Sequence, residues 1–337
     1  MVAFKTTLAR VNASVQAFKQ LSPIRRKRRL ANLSLGYALL APAVILLVVF
    51  EFYPLFSGLY ISLTNWRLAR GDFIGLANYV RAFSDPEMWH SLWITFTYSV
   101  ISVPVQLGLA LVIAYLLFQK IKGLQWFRMV YFMPYITSTV ASAAVWAYLF
   151  SPDTGPINYL LRSLGLNGLR WLGEPRGVFD LLFGSLGVQL PAWAGGPSLA
   201  LISLIMFTTW VFVGYDTVIF LSGLVNIPPE LYDAAKVDGA SGWRLFRYIT
   251  LPLLSPTTFF LLLITVIGTF KAFNHIYIMT QGGPGDATTT VSILIFKQMV
   301  VYNRYGYSAA ISFIVFIVIL GLTILQNRFA GKRVVYD

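Results

Sequence analysis

The residues best placed to do chemistry are polar side chains set inside two apolar stretches. TWVFVGYDTV at 209–218 carries Trp210, Tyr215, Asp216 and Thr217. TFKAFNHIY at 269–277 carries Thr269, Phe270, Lys271, Phe273 and Asn274. Polar and ionisable groups inside a membrane span are costly and mark pathways. Aromatic faces beside hydroxyl, amide and carboxyl groups suit a sugar, which has apolar CH faces and a rim of hydroxyls. Each group also has an ordinary account. Lys271 can snorkel to the outer surface, and Trp210, Tyr215, Phe270 and Phe273 can pack helix on helix.

A second kind of chemistry, docking, is suggested by ELYDAAKVDGASGWRLFRYITLPLLSP at 230–256, which lies between two very apolar stretches. Pro228 and Pro229 end one helix, and Pro229 suits the first turn of the next. Glu230 and Asp233 are expected in that first turn, at the positive end of the helix dipole. Leu231, Ala234, Ala235 and Val237 are mostly small and leave a surface that a partner can approach closely. Gly239 is expected to break the helix and Ser241 to cap a second short one. Trp243, Phe246 and Ile249 recur at a spacing of three, and Pro252 marks entry to the next span. An amphipathic linker resting on lipid headgroups is the competing account, and Lys236, Arg244 and Arg247 suit it.

Several chemistries are excluded. With no cysteine there are no disulfides and no thiolate sites, and His90 and His275 are too few for a histidine-based metal cluster. The sequence has no G-x-x-x-x-G-K-[ST] phosphate loop, no H-E-x-x-H and no G-x-S-x-G elbow. The fragment AGKR at 330–333 lacks the upstream glycine and the hydroxyl residue. No catalytic residue, metal or bound cofactor is therefore expected, and any ATP-hydrolysing subunit must be another chain. A net charge of +13 is explained by topology rather than by nucleic acid.

The elements that must carry these residues are membrane helices. The 337 residues are 57% hydrophobic and 12% charged, against about 45–50% and about 25% in soluble domains. Six stretches reach the roughly 20 apolar residues a span needs: 35–57, 92–118, 129–150, 198–224, 253–278 and 306–327. VFDLLFGSLGVQL at 178–190 is too short to cross and reads as an interfacial or re-entrant helix. Lys and Arg number 17 in the segments assigned inside and 9 in those outside when Lys271, near the outer end of the 253–278 stretch, is counted with them. RRKRR at 25–29 dominates that bias and places both termini, and the 230–256 stretch, in the cytoplasm. The start reads as an uncleaved signal anchor, with a basic tail suited to anionic lipid.

The spacing of the 230–256 stretch also carries a resemblance. Asp233-Ala234-Ala235, three residues, Gly239, nine residues, Ile249, one residue, Leu251-Pro252 resembles the cytoplasmic signature of ABC importer permeases. Asp233 stands where that family usually has Glu, which keeps the charge and shortens the reach. GLANYVRAFSDPEMW at 75–89, FMPYITSTVASAAVWAYLF at 132–150, IPPELYDAAKVDGAS at 227–241 and FKAFNHIYIMTQGGPGDATTT at 270–290 are similar to permeases of maltose-type sugar importers. The matches follow in order over most of the chain after residue 35.

The resemblance implies an all-α polytopic membrane protein of six transmembrane helices, the type I importer permease fold. It divides the chain into a basic cytoplasmic tail (1–34), a first transmembrane helix (35–57), an extracytoplasmic loop (58–90), a transmembrane core (91–327) with a cytoplasmic coupling loop (227–252), and a second tail (328–337). It implies that Glu230, Asp233, Ala234, Ala235, Asp238, Gly239, Ala240, Leu251 and Pro252 meet an ATPase. It also implies that the 209–218 and 269–277 windows line the substrate path. The implied partners are a second, related permease, two cytoplasmic ATPase subunits that hold ATP and Mg, and an extracytoplasmic binding protein. Asp216 has a further account in such an assembly, pairing with the partner permease. The implied substrate is a mono-, di- or oligosaccharide, with glycerol 3-phosphate or a sugar alcohol as competitors. A phosphate would call for arginines along the path, and the spans offer little that is basic beyond Lys271. An ATP-independent transporter or channel is the reading of another class, and Asp216 is its candidate coupling group.

Overall fold

The computed structural model describes residues 23–67, 71–118, 123–184, 187, 191, 194–329 and 331. Most of the two expected basic tails and of the AGKR fragment, and parts of 119–128 and 178–190, lie outside the described residues. Among those described, the chain is helical, with two isolated β-bridges, Thr64 with Phe73 and Gly177 with Ser198. It divides into two compact units, Met1–Tyr60 and Ile61–Asp337.

The first unit is built on α1 (Pro23–Leu47), a π-helical turn at Val48–Phe52 and the start of α2 (Tyr53–Ser62). From Ala31 onward this is one continuous apolar helix of 32 residues. Leu39, Leu46, Phe50 and Phe56 are exposed, and a helix that is apolar all round faces lipid or other helices.

In the second unit, α3 (Ala77–Ser84) leads into α4 (Pro86–Phe118). Buried Asn78 organises the approach by donating from Nδ2 to the carbonyls of Ser62 (2.9 Å) and Thr64 (2.8 Å). The expected span 129–150 is two helices, α5 (Leu124–Ile136) and α6 (Thr139–Leu149). Pro134 cannot supply the N–H that the carbonyl of Val130 needs, and Thr137 and Ser138 are extended between the helices. The segment that follows carries α7 (Pro156–Ser163) and α8 (Val178–Gly184). Asn158 fastens it: its amide donates to the carbonyls of Pro152 and Leu169 and accepts from Leu169 N and Trp171 Nε1.

Helix α9 (Leu199–Val225) is the most enclosed of the long helices and packs against α4 and α5. After α10 (Pro229–Val237), the chain continues through α11 (Trp243–Leu245), a π-helical turn (Phe246–Thr250) and α12 (Leu251–Leu253) into α13 (Ser255–Phe270). The axis bends by 64° between Trp243–Leu253 and Ser255–Phe270. Pro256 explains the bend, because it leaves the Pro252 carbonyl without an i+4 donor and its ring crowds that oxygen.

The expected span 253–278 ends at Phe270. Residues 271–273 are non-helical, and α14 (Asn274–Thr280) follows. Next come α15 (Val291–Phe296), a π-helical turn (Lys297–Val301) and α16 (Tyr305–Phe329). Among the described residues, four helices are long and apolar enough to cross a membrane, or five with the bent pair as one span. The expected span 129–150 is divided between α5 and α6, each too short to cross by itself, so the six-span count is not reached among the described residues.

Two of the apolar cores lie along α4 and α9. One gathers Tyr98, Phe150, Leu201, Leu204, Phe207 and Ile276. The other gathers Val103, Leu107, Ala110, Phe220, Leu224 and Leu254. A third joins Met88, Phe270, Val291, Tyr307 and Ile311.

Candidate functional site: a polar cavity and an exposed helical loop

A cavity of about 390 Å³ opens among α4, α5, α6, α9, α13 and α14. Of the residues singled out in the two windows, Tyr215, Asp216, Thr269, Lys271, Phe273 and Asn274 line it. The non-helical break at 271–273 brings the last three to its wall. Helix α9 supplies Asp216, which lies between Val211 of the first core and Phe220 of the second.

Trp210, Thr217 and Phe270 are not among the lining residues. Trp210 packs with Trp146, ring centroids 5.4 Å apart. Thr217 donates to the Val213 carbonyl at 2.6 Å, and Phe270 is buried in the third core.

Asp216 finds its partner within the chain. Gln106 Nε2 donates to Asp216 Oδ2 at 2.6 Å, with both side chains buried. A hydrogen bond to a buried carboxylate is worth about 1.5–3 kcal/mol, so this pair fixes the acid against α4. Thr269 donates to Ser99 Oγ at 2.8 Å. Tyr215 stacks on Tyr135, centroids 4.5 Å apart and planes 21° from parallel. That stack depends on Gly214, where a Cβ would overlap the Tyr131 carbonyl oxygen. Only a glycine lets α5 and α9 approach so closely.

Tyr98, Gln106, Tyr135 and Thr208 lie outside the two sequence windows, and His275 lies in the second without being singled out for the path; all five line the cavity. Tyr98 and Gln106 are eight apart on one helix and therefore share a face. Their polar types inside an apolar span were the available signal.

The loop between α9 and α13 is a different kind of site. Helix α10 starts at Pro229 with Glu230 in its first turn. Asp233 lies beyond that turn and pairs with Lys236 at 2.9 Å, which corrects the first-turn expectation. The helix ends in a Schellman turn: Ala240 N–H donates to Ala235 O (2.9 Å) and Gly239 N–H to Lys236 O (3.0 Å). Gly239 takes φ +79°, which L side chains avoid. Ser241 does not cap the next helix. The residue before α11 is Gly242, without a side-chain cap, because its φ of +48° turns the chain before Ser241 can reach forward.

The two limbs of the loop are tied by Tyr232 and Thr250, hydroxyl to hydroxyl at 3.1 Å. Burial raises the Tyr232 phenol above its ordinary range despite that bond. Glu230, Asp233, Ala234, Asp238 and Gly239 are exposed, while Ala235, Ala240, Leu251 and Pro252 are half-buried.

A broken-helix polytopic bundle with a central polar cavity and an exposed helical loop defines a membrane permease. The chain belongs to the binding-protein-dependent transport system inner membrane components, whose family model matches residues 25–334; it is an ABC importer permease and a multi-pass membrane protein. It is 36% identical to the sn-glycerol-3-phosphate transport system permease protein UgpA of Agrobacterium fabrum, over 90% of this chain and 97% of that one. It is 32% identical to the trehalose/maltose transport system permease protein MalF of Thermococcus litoralis, over 91% and 97%. A crystal structure of a bacterial alginate ABC transporter, bound to an alginate pentasaccharide-bound periplasmic protein, superposes with a TM-score of 0.75 and 22% identity. That match covers 91% of this chain and 98% of the transporter chain, and it shows the shared fold.

Proposed function

We propose that this permease admits a neutral carbohydrate, delivered by an extracytoplasmic binding protein, into the cavity between α4, α9 and α14. The observation that carries the reading is the lining: three tyrosines and two phenylalanines stand among threonine hydroxyls, the Gln106–Asp216 pair and Asn274. Aromatic faces take the CH surfaces of a sugar, while fixed acceptors and donors take its hydroxyls. The cavity volume lies within the usual range of about 300–1,000 Å³ for small-molecule sites.

Transport is driven from outside the chain. Two cytoplasmic ATPase subunits hold ATP and Mg, and the 227–252 loop docks on them through Glu230, Asp233, Ala234, Ala235, Asp238, Gly239, Ala240, Leu251 and Pro252. A second, related permease completes the path. Both termini and the loop lie in the cytoplasm, and the chain itself hydrolyses nothing.

A second reading is favoured by one residue. Lys271 at the cavity wall offers a cation to glycerol 3-phosphate, the substrate named for the Agrobacterium relative. Against it stands Asp216, an acid in the same lining, which opposes a dianion.

ATP-dependent uptake into proteoliposomes, using the complex purified from its own host with its binding protein, separates the two. Maltose, trehalose and lactose are compared with glycerol 3-phosphate. Uptake of a neutral saccharide, unaffected by excess glycerol 3-phosphate, is expected. Uptake of glycerol 3-phosphate alone overturns the proposal, and uptake without ATP overturns the importer mechanism.

A further inference from the structure

Three buried side chains from three elements converge at one edge of the cavity. Tyr98 of α4, Thr208 of α9 and His275 of α14 are 0%, 4% and 5% exposed. Tyr98 Oη lies 2.6 Å from Thr208 Oγ1 and 3.0 Å from His275 Nε2, and Thr208 Oγ1 lies 3.1 Å from the same nitrogen. Thr208 Oγ1 also donates to the Leu204 carbonyl at 3.0 Å.

Counting hydrogens orders these contacts. The single hydroxyl hydrogen of Thr208 goes to Leu204 O, so Thr208 Oγ1 accepts in its other contacts. Tyr98 O–H then donates to Thr208 across the shortest gap. Nε2–H of a neutral His275 donates to both oxygens in a forked bond. Every contact is used, which assigns the Nε2–H tautomer.

We infer that Tyr98, Thr208 and His275 form a latch that positions the non-helical cavity wall 271–273 by fixing the rotation of α14 against α4 and α9. The reason lies in what else holds α14. Ile276 and Met279 pack into the first core with Leu201 and Phe207, and Phe207 lies beside His275 with centroids 5.3 Å apart. Such apolar contacts are non-directional and tolerate a turn of the helix. Polar contacts converging on His275 do not. His275 directly follows Asn274, and the break at 271–273 carries Lys271 and Phe273, all in the cavity lining. The latch therefore sets where those groups stand. All three are positioning residues, and the inference rests on the carbohydrate-importer reading only for its effect on transport.

The test needs no substrate, because the sequence has no cysteine and a single introduced thiol can report on the wall. Ala272→Cys, on the cavity wall, is introduced into the full chain in membranes with its partners. Its rate of modification by a water-soluble maleimide is measured. Asn167→Cys, exposed on the loop after α7, serves as a control reporter in opened vesicles. Tyr98→Phe, Thr208→Val and His275→Leu should each raise the labelling rate of the wall reporter by about fivefold, the equilibrium factor carried by one buried hydrogen bond. His275→Gln retains an N–H at the Nε2 position and should stay within about twofold of the parent. The loop reporter should be unaffected in all of them.

Equal rates at the wall reporter in every background overturn the latch. So does a His275→Gln rate as high as that of His275→Leu, which would show that ring volume matters rather than the donor. A rise at both reporters marks general loosening and also counts against a local latch. Failure of sugar uptake with the expected labelling pattern would sink the proposed substrate and leave the latch standing.

Discussion

The cavity wall and the 227–252 loop satisfy their polar groups in opposite ways. In the cavity, Gln106 pairs with Asp216, Ser99 with Thr269, and Tyr98 with Thr208 and His275, across 110 to 177 residues of sequence. The loop closes its backbone locally, through a Schellman turn, and the ion pair of Asp233 with Lys236 joins residues three apart. Much of its surface stays exposed, with Val237 at 89% and Trp243 at 72%. The contrast separates a preorganised chamber, its polar pairs made across distant parts of one chain, from a locally closed module with an exposed outer surface.

Paired substitutions can break that contrast, and the largest effect is expected in the chamber. Gly214→Ala drives a Cβ into the Tyr131 carbonyl, where backbone cannot rotate away. It should cost about 1–3 kcal/mol, at the upper end for a backbone clash, read as a lowered thermal midpoint of the solubilised complex. Gln106→Leu strips Asp216 of its donor and should cost about 1.5–3 kcal/mol. Asp216→Asn keeps an acceptor oxygen for Gln106 and should cost less than half as much as Gln106→Leu. Equal losses would mean that shape, not the hydrogen bond, holds α4 to α9.

In the loop the same kind of change meets open space. A Cβ at Gly239 has no neighbour within 4 Å, so Gly239→Ala pays only for its left-handed backbone. That is about 1 kcal/mol, and Gly239→Asn should recover part of it. If Gly239→Ala matched Gly214→Ala, the loop would be as tightly packed as the chamber and the contrast would fail. The smallest effect belongs to the exposed pair: Lys236→Ala should change stability by no more than about 0.5 kcal/mol.

What the sequence could reveal follows the same division. The loop was legible because prolines, a glycine and a first-turn acid act on their neighbours, and Gly239 ended α10 as its type required. Asp233 and Ser241 were misplaced by a turn and by one backbone dihedral. The cavity was legible only as windows. Residue type flagged Asp216, Lys271 and Asn274, but Gln106, Tyr98 and Thr208 became partners only when α4 and α9 packed together. The span pattern shared this limit: hydropathy found 198–224 and 306–327 closely, yet it cannot register the interruptions at 137–138 and 271–273. Pro134 was a visible signal for the first of these. At the second, Lys271 favours a helix C-terminus, and the wall it creates depends on tertiary contacts.

The most direct test of the central claim uses Gly239→Trp. The tagged chain is purified gently from its host membranes, with and without the substitution, and the recovered subunits and ATPase activity are compared. The account predicts that an ATPase and a second permease co-elute with the unaltered chain. With Gly239→Trp the ATPase should be lost, or should hydrolyse without response to the loaded binding protein. Identical recovery and identical stimulation in both preparations, or transport by a chain free of any ATPase, would contradict it.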